Sequence, residues 1–64
     1  MKIILPDRTI QQMPGDPVRI SRILDQLGIH PAEVIVSRNG TLVPEDAEAG
    51  GNDEIRIIRI AHGG

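Results

Sequence analysis

The sequence contains no cysteine and no aromatic residue. Without cysteine there is no disulfide, no thiolate metal site and no cysteine nucleophile. Without Phe, Tyr or Trp there is no stacking platform for single-stranded nucleic acid. The core must be built from Ile, Leu, Val, Met and Ala, and the predominance of isoleucine favours strands. A strong charge of either sign is also missing: the net charge is −2, with 25% charged residues, and there is no basic footprint for nucleic acid. No apolar run approaches a membrane span, and the N-terminus lacks the apolar core of a signal peptide. The expectation is a cytoplasmic protein with neither nucleic acid nor membrane as partner. Sixty-four residues allow one domain, and a chain of that size buries only about 60% of its unfolded surface.

What is present reads as a series of short elements. Met1 to Leu5 is strand-like, Leu5-Pro6-Asp7-Arg8 is a turn, and Thr9 to Met13 is a weaker returning strand. Pro14-Gly15 breaks it. Asp16 and Pro17 are expected to open a helix, as N-cap and first helical residue. Ile20, Ile23, Leu24 and Leu27 form one apolar stripe, with Arg19, Arg22, Asp25 and Gln26 on the other face. Gly28 should close the helix, with Ile29 packing back on Leu24, and Pro31 should block its continuation. Glu33 to Arg38 reads as a third strand, Asn39-Gly40 as a type I′ hairpin turn, and Thr41 to Val43 as a short fourth strand stopped by Pro44. Glu45 to Asn52 is expected to be a loop or a single helical turn, and Asp53 to Ile60 the final and most apolar strand.

The expected fold class is therefore α+β. A mixed five-stranded sheet in ββαβββ order carries one main helix on one face, the ubiquitin-like β-grasp arrangement. The last strand should be central and parallel to the first. Its alternation puts Ile55 and Ile57 on one face and Arg56, Ile58 and Ile60 on the other. If the helix covers the first face, Ile58 and Ile60, with Ile35 and Ile4, remain on an open face, and clustered exposed aliphatics mark a contact surface. Residues 1–60 are expected to form the domain and residues 61–64 a flexible tail.

Intrinsic chemistry is hard to place. His30 and His62 do not stand at metal-ligand spacing with another ligand. No phosphate-loop motif occurs, and Gly50-Gly51 reads as shaping a turn. Glu45, Asp46 and Glu48 read as a solvated loop. Ser21 and Ser37 lack an activating arrangement, and no pocket of useful size is expected. That leaves Ala61-His62-Gly63-Gly64. Read as a true C-terminus, it is a carboxylate on the thinnest backbone available, able to enter a narrow site on another protein. A carboxylate needs activation before a nucleophile can attack it; adenylation by ATP supplies a leaving group, and a sulfur nucleophile can then displace AMP.

Several segments resemble the ThiS/MoaD family of sulfur carrier proteins. These are Leu27-Gly28-Ile29-His30-Pro31, the run from Val34 to Gly40 leading into Leu42-Val43-Pro44-Glu45-Asp46, and Asp53 to Ile60 before Gly63-Gly64. The Asn-Gly and Val-Pro pieces and the short length look more like ThiS than MoaD. His62, the Gly50-Gly51-Asn52-Asp53 loop and the absence of an early Asn-Gly-Glu depart from the family pattern. The resemblance implies a protein that is not itself an enzyme and binds no cofactor. A ubiquitin-activating-like adenylyltransferase would use ATP to adenylate Gly64, with Gly63 its required neighbour. The resulting thiocarboxylate would supply thiazole synthase or another sulfur-accepting enzyme. Ile35, Ile58, Ile60 and His62 would lie in the partner-binding face. Carriers for tRNA thiolation or molybdopterin fit the same pattern. A ubiquitin-like modifier is a further reading, although Lys2, the single lysine, leaves self-linked chains almost no acceptor. A plain β-grasp interaction module with an inert tail is another.

Overall fold

The structure, a computed structural model, describes residues 1–60. Seven strands and one α-helix occur in the order β1 (Lys2–Ile4), β2 (Ile10–Gln12), β3 (Val18–Arg19), α1 (Ile20–Leu27), β4 (Val34–Arg38), β5 (Thr41–Val43), β6 (Glu48–Ala49) and β7 (Glu54–Arg59). Five of the strands form one sheet in the spatial order β2-β1-β7-β4-β5, and β3 pairs separately with β6. Strand β7 lies at the centre, parallel to β1 and antiparallel to β4. This is the expected β-grasp order, with an additional two-stranded ribbon.

The core follows from two periodicities meeting. Ile20, Ile23 and Leu24 of α1 are buried against Ile3 of β1, Val34 and Val36 of β4, and Ile55 and Ile57 of β7. The i, i+3, i+4 spacing puts the helix residues on one stripe, and the alternation of two puts the strand residues on the facing side. Ile3 and Ile55 are register partners, as are Val36 and Ile57, so the β-branched side chains meet across neighbouring strands.

Gly28 closes α1 with φ of 70°, a conformation that costs glycine little. The Ile29 N–H donates to the Leu24 carbonyl (2.9 Å) and the Gly28 N–H to the Asp25 carbonyl (3.1 Å). These are the two reversed bonds of a Schellman closure. Asn39 and Gly40 both have positive φ, 53° and 86°, as a type I′ turn requires.

Several expectations need correction, among them the bounds of the first and last strands, which are Lys2–Ile4 and Glu54–Arg59 and not Met1 to Leu5 and Asp53 to Ile60. Asp16 and Pro17 do not open the helix: α1 begins at Ile20, its N-cap is Arg19, and no side chain caps it. Its first donors are satisfied from across the fold, Ile20 N–H by the Ala47 carbonyl (2.9 Å) and Ser21 N–H by the Glu45 carbonyl (2.8 Å). With the orphan N–H groups met by backbone, Val18–Arg19 is free to extend and pair as β3, so Arg19 is not on the helix face. Glu45 to Asn52 is not all loop, because Glu48–Ala49 is the β6 partner of β3. The third strand expected from Glu33 starts at Val34, after a 3₁₀ turn over Pro31–Glu33 whose N–H at Ala32 is capped by the His30 imidazole (3.2 Å). The second strand is Ile10–Gln12, shorter than Thr9 to Met13.

Backbone passes close to backbone where the ribbon joins the sheet. The Gly51 N–H donates to the Gly15 carbonyl at 2.7 Å, and a β-carbon at Gly15 would stand 2.9 Å from the Gly51 oxygen. Only glycine fits at position 15 without moving the loop that leads into β7.

Candidate partner-docking face

The sheet has one face covered by α1 and one left open. Register defines the open face. Ile10 is opposite Ile4, Ile4 opposite Arg56, Arg56 opposite Ser37, and Ser37 opposite Leu42, one row across all five strands. Ile58 and Ile35 form the next row. Of these, Ile35 is 41% exposed, Ile58 39%, Leu42 63% and Ile10 57%. Ile60 continues the alternation of β7 and is 39% exposed. The structure thus brings Ile35 and Ile58 together as direct neighbours, with Ile60 at the end of the same strand line. His62, Gly63 and Gly64 lie outside the described residues. The chain reaches them from a fixed point, since the Ile60 N–H donates to the Glu33 carbonyl at 2.9 Å.

Leu42 and Ile10 were not singled out from sequence. The signal for Leu42 was available: a two-residue Asn39-Gly40 turn pairs Ser37 with Leu42, so the two must share a face. Single exposed aliphatics are ordinary, but aliphatics gathered on one uncovered sheet face form a patch. Arg56 stands in its middle and lines two hollows. One is bounded by Ser37, Leu42 and Ile58. The other is an open groove of about 860 Å³ that runs past Ile4, Ile10 and Arg8. The expectation that no pocket of useful size exists therefore needs qualification, although both hollows are open surface features.

The edge of this face is pinned by Asn39. Its Oδ1 accepts from the Glu54 N–H (2.9 Å) and its Nδ2 donates to Asp53 Oδ1 (2.9 Å). Asp53 Oδ2 accepts from the Gly50 N–H (3.0 Å). The hairpin turn, the loop before β7 and the start of β7 are thereby tied together. The Gly50 N–H and then the Asn39 amide hold the Asp53 carboxyl below the usual carboxylate range, against the opposing effect of desolvation. Because the folded-state value is depressed, this group stabilises the fold fully above the unfolded value of about 3.9 and loses that contribution as pH falls through the folded value. An Asp53→Asn variant should therefore melt below the wild type at neutral pH, with the difference shrinking below about pH 4. Thermal melts across an acid series check this.

Among the described residues, the remaining polar side chains are not gathered into a cluster of titratable groups. No group of three potential metal ligands occurs among the described residues. Ser37 is buried within its row between Arg56 and Leu42, and His30 caps its own turn. No helix among the described residues is long and apolar enough to cross a membrane.

Fold and face together define a small ubiquitin-like β-grasp domain with an uncovered apolar sheet surface. The chain belongs to the ThiS family, which it matches over residues 3–64. Members are small sulfur carrier proteins, not enzymes, that interact with sulfur-transfer enzymes, and this chain is a sulfur carrier in that general sense. It is also 41% identical over 46 residues to an uncharacterized protein of Archaeoglobus fulgidus, a match covering 72% of this chain and 67% of that relative.

Proposed function

We propose that this carrier works through a C-terminal carboxylate on Gly64. A ubiquitin-activating-like adenylyltransferase binds the open face around Ile35, Ile58 and Ile60, with His62 on the path to the active site. It threads Gly63-Gly64 into that site. The carboxylate attacks the α-phosphate of ATP and pyrophosphate leaves. Hydrosulfide from a sulfur donor then attacks the acyl carbon and AMP leaves, giving a thiocarboxylate that donates sulfur to an acceptor enzyme, thiazole synthase in the first instance. ATP belongs to the partner, and the carrier itself holds no cofactor. The compartment is the cytoplasm.

One observation carries this reading. The ThiS-family match runs through Gly64, and the segment it ends on follows directly from β7, the central strand beside the apolar face. Ile60, the last described residue, sits at the end of the same strand line as the apolar face, which supports a reading in which binding energy at the face positions a reacting group carried beyond it. Support for thiazole synthesis over tRNA thiolation or molybdopterin rests on the Asn39-Gly40 turn and Val43-Pro44, and neighbouring genes separate the three. Incubation with ATP, the adenylyltransferase of the same cell and a sulfur donor should give the mass gain of sulfur replacing oxygen at the C-terminus. An unchanged mass refutes the proposal.

A further inference from the structure

Between β1 and β2, Leu5 and Thr9 close a three-residue turn, Pro6-Asp7-Arg8, in which Arg8 is the third residue, with φ of 73°. The Arg8 N–H donates to the Leu5 carbonyl and the Leu5 N–H to the Thr9 carbonyl, both at 2.8 Å. This is a type I turn followed by a bulge residue in the left-handed region. Glycine or asparagine adopts that conformation readily, whereas a longer side chain is strained by it. Asp7 makes no ion pair with Arg8; its Oδ1 accepts from the Thr9 hydroxyl (2.6 Å) and the Thr9 N–H (3.0 Å). A strained residue without a local bond to justify it points to a role outside the turn.

The groove that Arg8 lines is the open one shared with Arg56, Ile4, Ile10 and Ile58. It also reaches Leu5 and Arg59 at the end of β7 from which the tail departs. Its charge is segregated. Lys2, Arg8, Arg56 and Arg59 line it with Glu54 as their one acidic companion, in a chain with seven basic and nine acidic residues and a net charge of −2. Lys2 pairs with Glu54 and Arg59 with Glu33, each at 3.6 Å. Arg8 and Arg56 have no ion-pair partner among the described residues.

We infer that Arg8 and Arg56 form a two-point carboxylate clamp selecting the activating enzyme, whose docking surface presents acidic side chains set among apolar ones. This rests on the carrier reading above and specifies the partner's chemistry. Guanidinium groups suit carboxylates because their paired N–H donors match both oxygens. The flanking isoleucines favour a protein surface over a free nucleotide, whose hydrated phosphates gain nothing from them. Complementary charge of this kind acts chiefly on encounter rate and partner choice.

Steady-state adenylation by the adenylyltransferase of the same cell tests the inference with full-length wild type, Arg8→Asn, Arg56→Gln and, as a control on the outer face of α1, Arg22→Gln. The first two variants should raise the KM for the carrier about tenfold or more at low salt, leave kcat unchanged, and flatten the rise of KM with ionic strength seen in the wild type. Arg22→Gln should match the wild type. Arg8→Asn should melt no lower than the wild type, since asparagine suits the left-handed position. An unchanged KM for the carrier overturns the inference. So does an effect confined to the KM for ATP, which would assign the clamp to nucleotide phosphate, or a lowered melting temperature for Arg8→Asn, which would make Arg8 structural. Failure of the wild type itself to be adenylated overturns the carrier reading instead.

Discussion

Replacing Ile57 by alanine should destabilise the domain by about 2–5 kcal/mol, while the same change at Ile58 should cost about 1 kcal/mol or less. The two residues are adjacent on β7 and chemically identical, so the contrast isolates their faces. Ile57 is 1% exposed beneath α1, between Val36 and the helix stripe. Truncation there leaves a cavity that neighbouring β-branched side chains, stiff at χ1, fill poorly. A domain this size has little stability in reserve, so Ile57→Ala should be largely unfolded at growth temperature. Ile58, 39% exposed on the open face, loses its cross-strand contact with Ile35 but leaves no closed cavity behind. Its truncation should instead weaken binding to the activating enzyme. Chemical denaturation of both variants, with binding measured for Ile58→Ala, checks the pair; equal destabilisation would contradict the assignment of faces.

Deleting Gly64 should abolish thiocarboxylate formation, by at least about 100-fold, without lowering the melting temperature. One residue of extended chain spans about 3.5 Å, so the shortened tail presents its carboxylate that far from the nucleotide. A displacement of only about 1 Å can already cost 100-fold. The fold should not register the loss, because the core and the hydrogen bond from Ile60 to Glu33 lie before the deleted residue. Activity assay and thermal melt on one preparation separate the two effects. Full activity would mean an inert tail on an interaction module.

The parts of this fold legible in sequence were those where a local rule and the tertiary structure agree. Alternation in β7 told Ile55 and Ile57 from Arg56 and Ile58 because one sheet face is buried and the other is not. Gly28 and Asn39-Gly40 marked chain reversals because both need positive φ. The start of α1 was missed because Asp16-Pro17 is a sound local cap that the fold overrides, supplying backbone carbonyls from Glu45 and Ala47 instead. Strands β3 and β6 have two residues each, too few for any periodicity, and exist only as partners of one another. In the candidate site, Ile35, Ile58 and Ile60 followed from alternation. Leu42 required the hairpin register to be carried across, and Ile10 required a loop geometry hidden by an arginine where glycine or asparagine is the usual sign. The tail's role is not a matter of periodicity; its grounds are its place after the central strand and the family match.

The most direct test of the central claim is the intact mass of the protein isolated from its own cell, with fragmentation to place any change along the chain. The account predicts a fraction carrying sulfur in place of one oxygen, confined to the C-terminal glycine. A chain wholly in the carboxylate form, or one joined through its C-terminus to lysines of other proteins, would contradict it.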